Sequence, residues 1–388
     1  MKVLHLIKTA DGAAWAHRQI TVLRSHGAEV AICLPPGKMA DKYAAGGFKV
    51  YPFQFSINPV KIMSGMVAFR KIVKDFQPAI IHSHFIITTL FARLYRFFFS
   101  LKIPLVFQVP GPLHMEHSFF RNADLRSSGR NDYWIGSCNW TSKKYLSCGI
   151  PESRVFKSLY GTDTSYVKQH EQGKLRKELG LNKDDFIVAI VAFMYKPKAY
   201  IGQKNGIKGH EDFFMGVAEA MKKNEKIKAV VIGGAWDGAT DYEEKLVNMG
   251  RELCGSNIYF MGSRSDVPEL YADIDLVVHP SYSENLGGAA ESLMLAVPTI
   301  ATNIGGFPDI VIEGETGYLV NVAAPAEIAD RILYVYDHYE EAKRVAENGR
   351  ELLLQVMDVK RTGKEVFDIY NEILNSRPGY VQAFQKAV

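Results

Sequence analysis

Two glutamates, Glu284 and Glu291, flank a glycine turn in the run His279-Pro280-Ser281-Tyr282-Ser283-Glu284-Asn285-Leu286-Gly287-Gly288-Ala289-Ala290-Glu291. The run reads as the end of a strand, a turn and the start of a helix. Backbone N–H groups and the positive helix end would there meet an anionic or hydroxyl-rich ligand. Glu284 precedes the turn and Glu291 follows about one turn into the helix, so both carboxylates can face one ligand and accept hydrogen bonds from sugar hydroxyls. The plainer alternative makes Glu284 part of a helix cap and leaves Glu291 in water. A second glycine site, Ala301-Thr302-Asn303-Ile304-Gly305-Gly306-Phe307-Pro308-Asp309, follows the next strand. It is either an ordinary tight turn or a neighbouring patch of binding floor. Asp273-Ile274-Asp275 invites a metal reading, but it precedes a strand instead of ending one, and no cluster has metal-ligand spacing. No bound metal is expected.

These residues need strands to carry them. Lys2–Ile7, Glu29–Leu34, Ala79–Ser83, Pro104–Val109 and Tyr133–Cys138 read as strands separated by long helical patterns, which argues parallel β-α-β units. After a charged, strandless stretch near Lys168–Lys183 the pattern restarts with Phe186–Phe193, Ile227–Ile232, Asn257–Met261, Asp275–His279 and Pro298–Thr302. The reading is an α/β protein of two doubly wound sheets: a first domain over 1–166 and a second over 167–363. Ligand crevices lie at the carboxyl ends of such strands, so the expected active site is a cleft shared by the domains. The chain from Pro325 is helical and charged, and its last helix, near Gly363–Asn375, can dock on either domain; the segment 364–388 is a candidate to rejoin the first. Neither half has G-x-G-x-x-G after its first strand, which disfavours a nicotinamide dehydrogenase.

The net charge of +4 hides an asymmetry: residues 1–165 hold 21 Lys and Arg against 9 Asp and Glu, and the remainder 25 against 33. A basic half suggests an anionic partner, with a solvated charged face as the alternative. Pro59–Phe76 mixes apolar residues with Lys61, Arg70, Lys71 and Lys74, while Leu90–Lys102 carries Arg93, Arg96 and Phe97–Phe99. Such helices can lie in a bilayer interface or simply pack on a sheet with their lysines in water. No nucleic-acid recognition motif accompanies the charge, so nucleic acid is not an expected partner. No apolar run of about 18 residues is present and the N-terminus passes directly into a strand, so a cytoplasmic protein is expected, or one peripheral on the inner face of the cytoplasmic membrane. Cys33, Cys138, Cys148 and Cys254 are scattered, as buried reduced thiols would be.

The run from His279 through Leu319 resembles the donor-binding signature of retaining glycosyltransferases of the GT-B fold, family four in particular, which usually reads P-S-x-x-E-G-F-G-x-x-x-x-E-A, then G-V-P, then G-G-x-P-E. Weaker matches follow in order: His82-Ser83-His84, Tyr160-Gly161-Thr162-Asp163 against N-G-x-D, and Lys208-Gly209 against K-G. The resemblance implies a GT-B fold and no cofactor beyond a nucleotide-sugar donor substrate, UDP-linked by preference. It implies transfer of a hexose or N-acetylhexosamine, with retention and without metal, to a lipid-linked or other glycan acceptor. Glu291 resembles the family's ribose-binding glutamate, and Glu284 the one that contacts the donor sugar beside the amides of Asn285, Leu286 and Gly287. Lys208 resembles the lysine that neutralises the diphosphate. Gly12 would let the first strand-to-helix loop approach that diphosphate. His114, in Val109-Pro110-Gly111-Pro112-Leu113-His114, stands where the family has a histidine near the acceptor, with His17, His82 and His84 as competitors.

Three departures are visible. Six residues separate Glu284 from Glu291 where the family has seven, so the turn must be tighter or Ser283 must share the sugar contact. The family's arginine in V-G-R is missing from Val191-Ala192-Phe193-Met194-Tyr195-Lys196; Lys196 is the candidate to replace its charge, as a point charge without a guanidinium fork. The first loop reads Asp-Gly-Ala-Ala where a glycine pair is common. Two rival functions share the fold: a nucleotide-sugar epimerase, and a catalytically silent partner of another glycosyltransferase.

Overall fold

The computed structural model describes residues 1–11, 13–164, 170–199 and 202–376. The chain forms two compact units, one of Met1–Thr164 with Val356–Val388 and one of Ser165–Gln355. In the first, β1 (Lys2–Leu6), β2 (Glu29–Leu34), β3 (Lys49–Pro52), β4 (Ile80–Ser83), β5 (Leu105–Val109), β6 (Asp132–Gly136) and β7 (Val155–Lys157) form one sheet in the order β3-β2-β1-β4-β5-β6-β7. In the second, β8 (Phe186–Val191), β9 (Ile227–Ile232), β10 (Ile258–Phe260), β11 (Leu276–His279), β12 (Thr299–Thr302) and β13 (Tyr318–Val320) run β10-β9-β8-β11-β12-β13. Every ladder is parallel.

Helices cover both faces of each sheet, which is why β5 and β6 are buried at every residue. Successive side chains on β1 leave on opposite faces. Val3 packs with Ile20, Ile32 and Ile80, whereas Leu4 and Leu6 pack with Ala31, Phe69 and Phe91. β8 divides likewise, Val188 and Ile190 to one layer and Ile187 and Ala189 to the other. The apolar runs read from the sequence are the interior strands of the two sheets together with the edge strand β10. β3, β7 and β13 were not legible as runs: each is a sheet edge of three or four residues, and β3 and β7 contain no fully buried position.

The helix Val359–Asn375 belongs to the first unit, so the second ends at Gln355 and not at 363. Its Val366, Ile369, Tyr370 and Ile373 fill the layer built on Val3 and Ile20. The outgoing and returning chains are joined directly: Thr162 N–H donates to Met357 O at 2.8 Å and Val359 N–H to Thr162 O at 3.0 Å. Asp358 caps the returning helix by accepting from Lys360 N–H at 2.9 Å. Gly161 makes this crossing possible, because a Cβ there would lie 2.6 Å from Val359 Cα and 2.3 Å from Thr362 Oγ1. Val359 Cα, and Val359 N at 2.9 Å, are backbone atoms that cannot swing aside, so Gly161→Ala should cost about 1–3 kcal/mol through forced displacement. A lowered midpoint in urea unfolding of the first unit's signal would show it; an unchanged midpoint would mean the crossing is loose.

Candidate functional site

β11 ends at His279, and the loop 280–286 leads into the helix Gly287–Met294. Gly287 has φ +28, and a Cβ there would come within 2.7 Å of Glu284 Cδ. The missing side chain lets Glu284 fold back over the helix start, where its Oε1 accepts from Asn285 N–H at 3.1 Å. The six-residue spacing is thus met by a tight turn. Gly288 is equally constrained: a Cβ would lie 2.8 Å from the His279 ring. That ring is buried, bonded through Nε2 to Ser292 Oγ at 3.2 Å, and kept neutral because burial and then Lys208 lower its pKa to about 3.

Lys208 arrives from the long loop after β8 and forms an ion pair with Glu284. Gly209, at φ +72, permits the approach: a Cβ would be 1.9 Å from Pro280 O. Tyr282 N–H donates to Ile207 O at 2.8 Å, so the lysine loop and the glutamate loop are bonded along their backbones. The second glycine site joins them through Gly306 N–H to Glu284 O at 3.1 Å and Thr302 Oγ1 to Ser281 O at 2.7 Å. Both glycine turns therefore belong to one floor at the carboxyl ends of β11 and β12.

Glu291 lines a cavity of about 300 Å³ together with Lys208, Gly288, Phe193, Tyr195 and Gly233. Burial raises the Glu291 pKa, and no hydrogen bond or ion pair engages its carboxylate among the described residues. Ser263 and Arg264, after β10, close the cavity's far side. Arg264 is already held, by Asp266 at 2.8 Å and Glu178 at 2.6 Å. Sequence reasoning missed Phe193, Tyr195, Ser263 and Arg264 as lining residues; the available signal was their position just past the carboxyl ends of β8 and β10. An acidic diol acceptor, one lysine and a helix N-terminus around such a cavity suit a ligand with a cis-diol and an anionic group.

Lys196 is not brought to this cavity; it is exposed and pairs with Asp241. Asn285 and Leu286 lie at the helix entry, the latter with its side chain buried, so that Leu286 can offer a ligand only backbone. Gly12 lies outside the described residues. Asp273 caps the helix Lys174–Leu179 by accepting from Gly173 and Leu175 N–H at 2.6 and 2.7 Å, and Asp275 accepts from Ile187 N–H and Arg176 at 2.8 Å. Both carboxylates serve the scaffold at the amino end of β11.

In the first unit, His114 Nε2 lies 2.8 Å from Tyr145 Oη and 3.4 Å from Asp124 Oδ2. Tyr145 donates its proton to Asp124 at 2.6 Å, so its oxygen accepts from His114 Nε2–H, which leaves Nδ1 with the lone pair. Burial pushes the Asp124 pKa up, but the His114 bond and the Arg93 guanidinium outweigh it and hold the group at about 2. The competing histidines sit otherwise. His82 and His84 are fully buried in a stack with His5, with ring nitrogens within 4.8 Å of one another. His84 bonds His5 and Tyr160 at 2.9 Å, and His82 bonds Tyr370. His17 packs on Tyr43 with ring centroids 5.0 Å apart.

Two α/β units, each on a parallel sheet and one with a cavity at its strand ends, are the architecture of the GT-B fold. The model of glycosyl transferases group 1 matches residues 172–352, and that of glycosyltransferase family 4 matches residues 13–165. The chain belongs to this glycosyltransferase family. It is similar to EpsD of Bacillus subtilis (strain 168), named a candidate glycosyltransferase, at 30% identity over 54% of this chain and 51% of that protein. A D-inositol 3-phosphate glycosyltransferase of Corynebacterium efficiens is 30% identical over 40% of this chain and 38% of its own. The chain thus spans about half the length, or less, of these curated relatives. The crystal structure of HepE of Anabaena in complex with UDP superposes with a TM-score of 0.78 at 20% identity, covering 96% of this chain and 100% of that one, which establishes the fold.

The depressed Asp124 pKa carries a stability consequence. A carboxylate whose pKa is about 2 when folded and about 3.9 when unfolded stabilises fully above pH 4 and loses that contribution as pH falls through 2. Asp124→Asn should therefore be destabilised at pH 6, and its gap from the unaltered protein should narrow as urea unfolding is repeated toward pH 2. A gap independent of pH would assign the loss to packing.

Proposed function

We propose that the chain is a retaining, metal-independent glycosyltransferase that moves a hexose or N-acetylhexosamine from a UDP-sugar to a hydroxyl of a lipid-linked or other glycan acceptor, in the synthesis of cell-surface polysaccharide or glycoconjugate. One observation carries the reading: Glu291, with an unengaged carboxylate, and Lys208, at a helix N-terminus, share one cavity. A ribose diol donates to a carboxylate, and a diphosphate takes a cation and backbone N–H groups. UDP is favoured by the resemblance of the donor signature and by HepE, which binds UDP in a similar fold.

In this reading Lys208 and the amides of Asn285, Leu286 and Gly287 stabilise charge on the departing diphosphate, which suits a reaction that needs no metal for that task. Glu284 exchanges its ion pair with Lys208 for a donor-sugar hydroxyl when the diphosphate arrives. His114 serves the acceptor through Nδ1, in the tautomer that Tyr145 and Asp124 set. Lys196 has no part, given its pair with Asp241.

The acceptor side includes an anionic membrane surface on the first unit. Met63 and Val67 of the helix Pro59–Phe76 are 57% and 53% exposed, followed by exposed Arg70, Lys71 and Lys74. Phe97 and Phe98 are 78% and 54% exposed on the helix Ile86–Phe99, which Arg70 joins by lying over Phe99 at 4.7 Å. Apolar side chains beside cations are what an anionic bilayer interface takes up. Placement at the inner face of the cytoplasmic membrane follows from this reading, and no described helix is long and apolar enough to cross a membrane.

Calorimetric titration with UDP-, GDP- and ADP-sugars in the presence of a chelator tests the donor. Selective binding of a UDP-sugar is expected, weakened about tenfold or more by Glu291→Ala or Lys208→Ala. Binding of none would favour a silent partner, and release of nucleotide without an acceptor would favour an epimerase. Glu284→Gln should leave UDP affinity equal or tighter, since Lys208 loses its competing partner, while lowering transfer. His114→Ala should lower the transfer rate by about 10²–10⁴ with donor affinity kept; full transfer by this variant would remove its assignment.

A further inference from the structure

Lys208 stands near the end of the loop 192–209, between β8 and the helix His210–Lys223. A long loop has much conformational freedom to lose, so a lysine carried on one binds an anion well only if its backbone is fixed beforehand. The turn just before Lys208 is fixed by a phenol. Gly206 N–H donates to Tyr242 Oη at 3.0 Å, and Tyr242, on the helix Thr240–Cys254, gives its own proton to Glu211 Oε1 at 2.6 Å. Glu211 Oε1 also lies 3.4 Å from the same Gly206 N–H. The fit leaves no room for a side chain at 206: a Cβ would be 2.3 Å from Tyr242 Oη and 3.0 Å from Tyr195 O.

The rest of the turn is tied as well. Gly209 N–H donates back to Gly206 O at 2.9 Å, which closes the backbone around Lys208. Asn205 Nδ2 donates to Tyr282 Oη at 3.0 Å, and Tyr282 in turn bonds Asp212. As mere packing this arrangement is costly. Glu211 and Asp212 are like-charged neighbours, 5% and 3% exposed, and Glu211 Oε2 and Asp212 Oδ2 have no partner among the described residues. The helix N-terminus on which both sit offsets part of that charge, yet apolar side chains would join the two helices at less cost. A carboxylate at 211 does what an apolar residue cannot. It draws the Tyr242 proton to itself and so turns the phenol's lone pairs toward Gly206 N–H.

We propose that Tyr242 and Glu211 are positioning residues that hold Lys208 for the donor diphosphate, an inference that rests on the donor reading above. Neither lines the cavity, so neither touches the ligand there. Their effect passes through the turn 206–209. Before ligand binds, the Lys208 side chain is tethered by Glu284. When a diphosphate takes the ammonium away from Glu284, that tether is gone, and the backbone turn is then what keeps the charge in reach of the phosphates. Tyr242 and Glu211 therefore matter most in the liganded state.

The test uses the full chain, with uridine, guanosine and adenosine mono- and diphosphates titrated by calorimetry in chelator. The quantity read is the ratio of diphosphate to monophosphate affinity for the preferred nucleoside. Tyr242→Phe keeps the ring and removes the hydroxyl; it should weaken the diphosphate about tenfold and the monophosphate less than about twofold. In a Lys208→Ala background the same change should alter diphosphate affinity by less than about twofold, because no ammonium is left to position. Glu211→Gln keeps an acceptor but loses the charge that draws the phenol proton. It should show the same split at smaller size, and it carries the test if Tyr242→Phe does not fold, which thermal unfolding of each variant would show. Equal weakening of both nucleotides, or a loss that persists undiminished without Lys208, would make the phenol structural only and overturn the proposal. Unchanged diphosphate affinity in the variants would also overturn it and leave the donor reading intact. Failure of the unaltered protein to bind any of the six nucleotides would overturn both.

Discussion

Lys208 and Glu284 come from loops more than seventy residues apart, and each is mostly withdrawn from water. Withdrawing either charge alone would cost several kcal/mol, so each charge needs an opposite or hydrogen-bonding partner where the loops meet over the end of the sheet, and without a ligand the two serve each other. The pair in turn requires backbone to pass backbone at distances that no Cβ allows. Gly209 presses on Pro280 O, Gly287 clears the Glu284 carboxylate, and Gly288 clears the His279 ring. The cluster is a set of mutual conditions: remove one glycine and a charge loses its partner.

The scaffold beneath supplies registration. Parallel strands bring the ends of β8, β9, β10, β11 and β12 to one edge of the sheet, and the backbone bonds from Tyr282 to Ile207 and from Gly306 to Glu284 fix adjacent loops to each other. Charge is thereby placed on rigid elements, which is what a binding site needs if little is to be spent on ordering when ligand arrives. The first unit applies the same economy to His114, whose ring is oriented by a buried tyrosine and a carboxylate held ionised by Arg93.

Much of this was legible in the residues, for physical reasons. Central strands of parallel sheets are buried on both faces and appear as continuous apolar runs, so β1, β4, β8 and β11 could be read directly, while the edges β3, β7 and β13 left no such trace. Glycines at 209, 287 and 288 marked the floor because glycine alone tolerates those approaches. Histidines were harder. His84, His82 and His114 are chemically alike in a sequence, and what separates them is environment: burial drives the pKa values of the first two far down, whereas His114 is bonded through one nitrogen to a Tyr–Asp pair. Lys196 illustrates the opposite failure, a charge close in sequence to the missing arginine whose side chain finds Asp241 instead.

The exchange of an arginine for Phe193 alters how the site divides its work. Among the cavity's lining residues the cations are Lys208 and Arg264, and Arg264 is committed to Glu178 and Asp266. Neutralisation of an anionic ligand then falls on one lysine, whose charge is already shared with Glu284, and on the helix N-terminus. A point charge supplies attraction but little orientation. Orientation must come from groups with shape, and the groups with shape here are the Glu291 carboxylate and the aromatic faces of Phe193 and Tyr195.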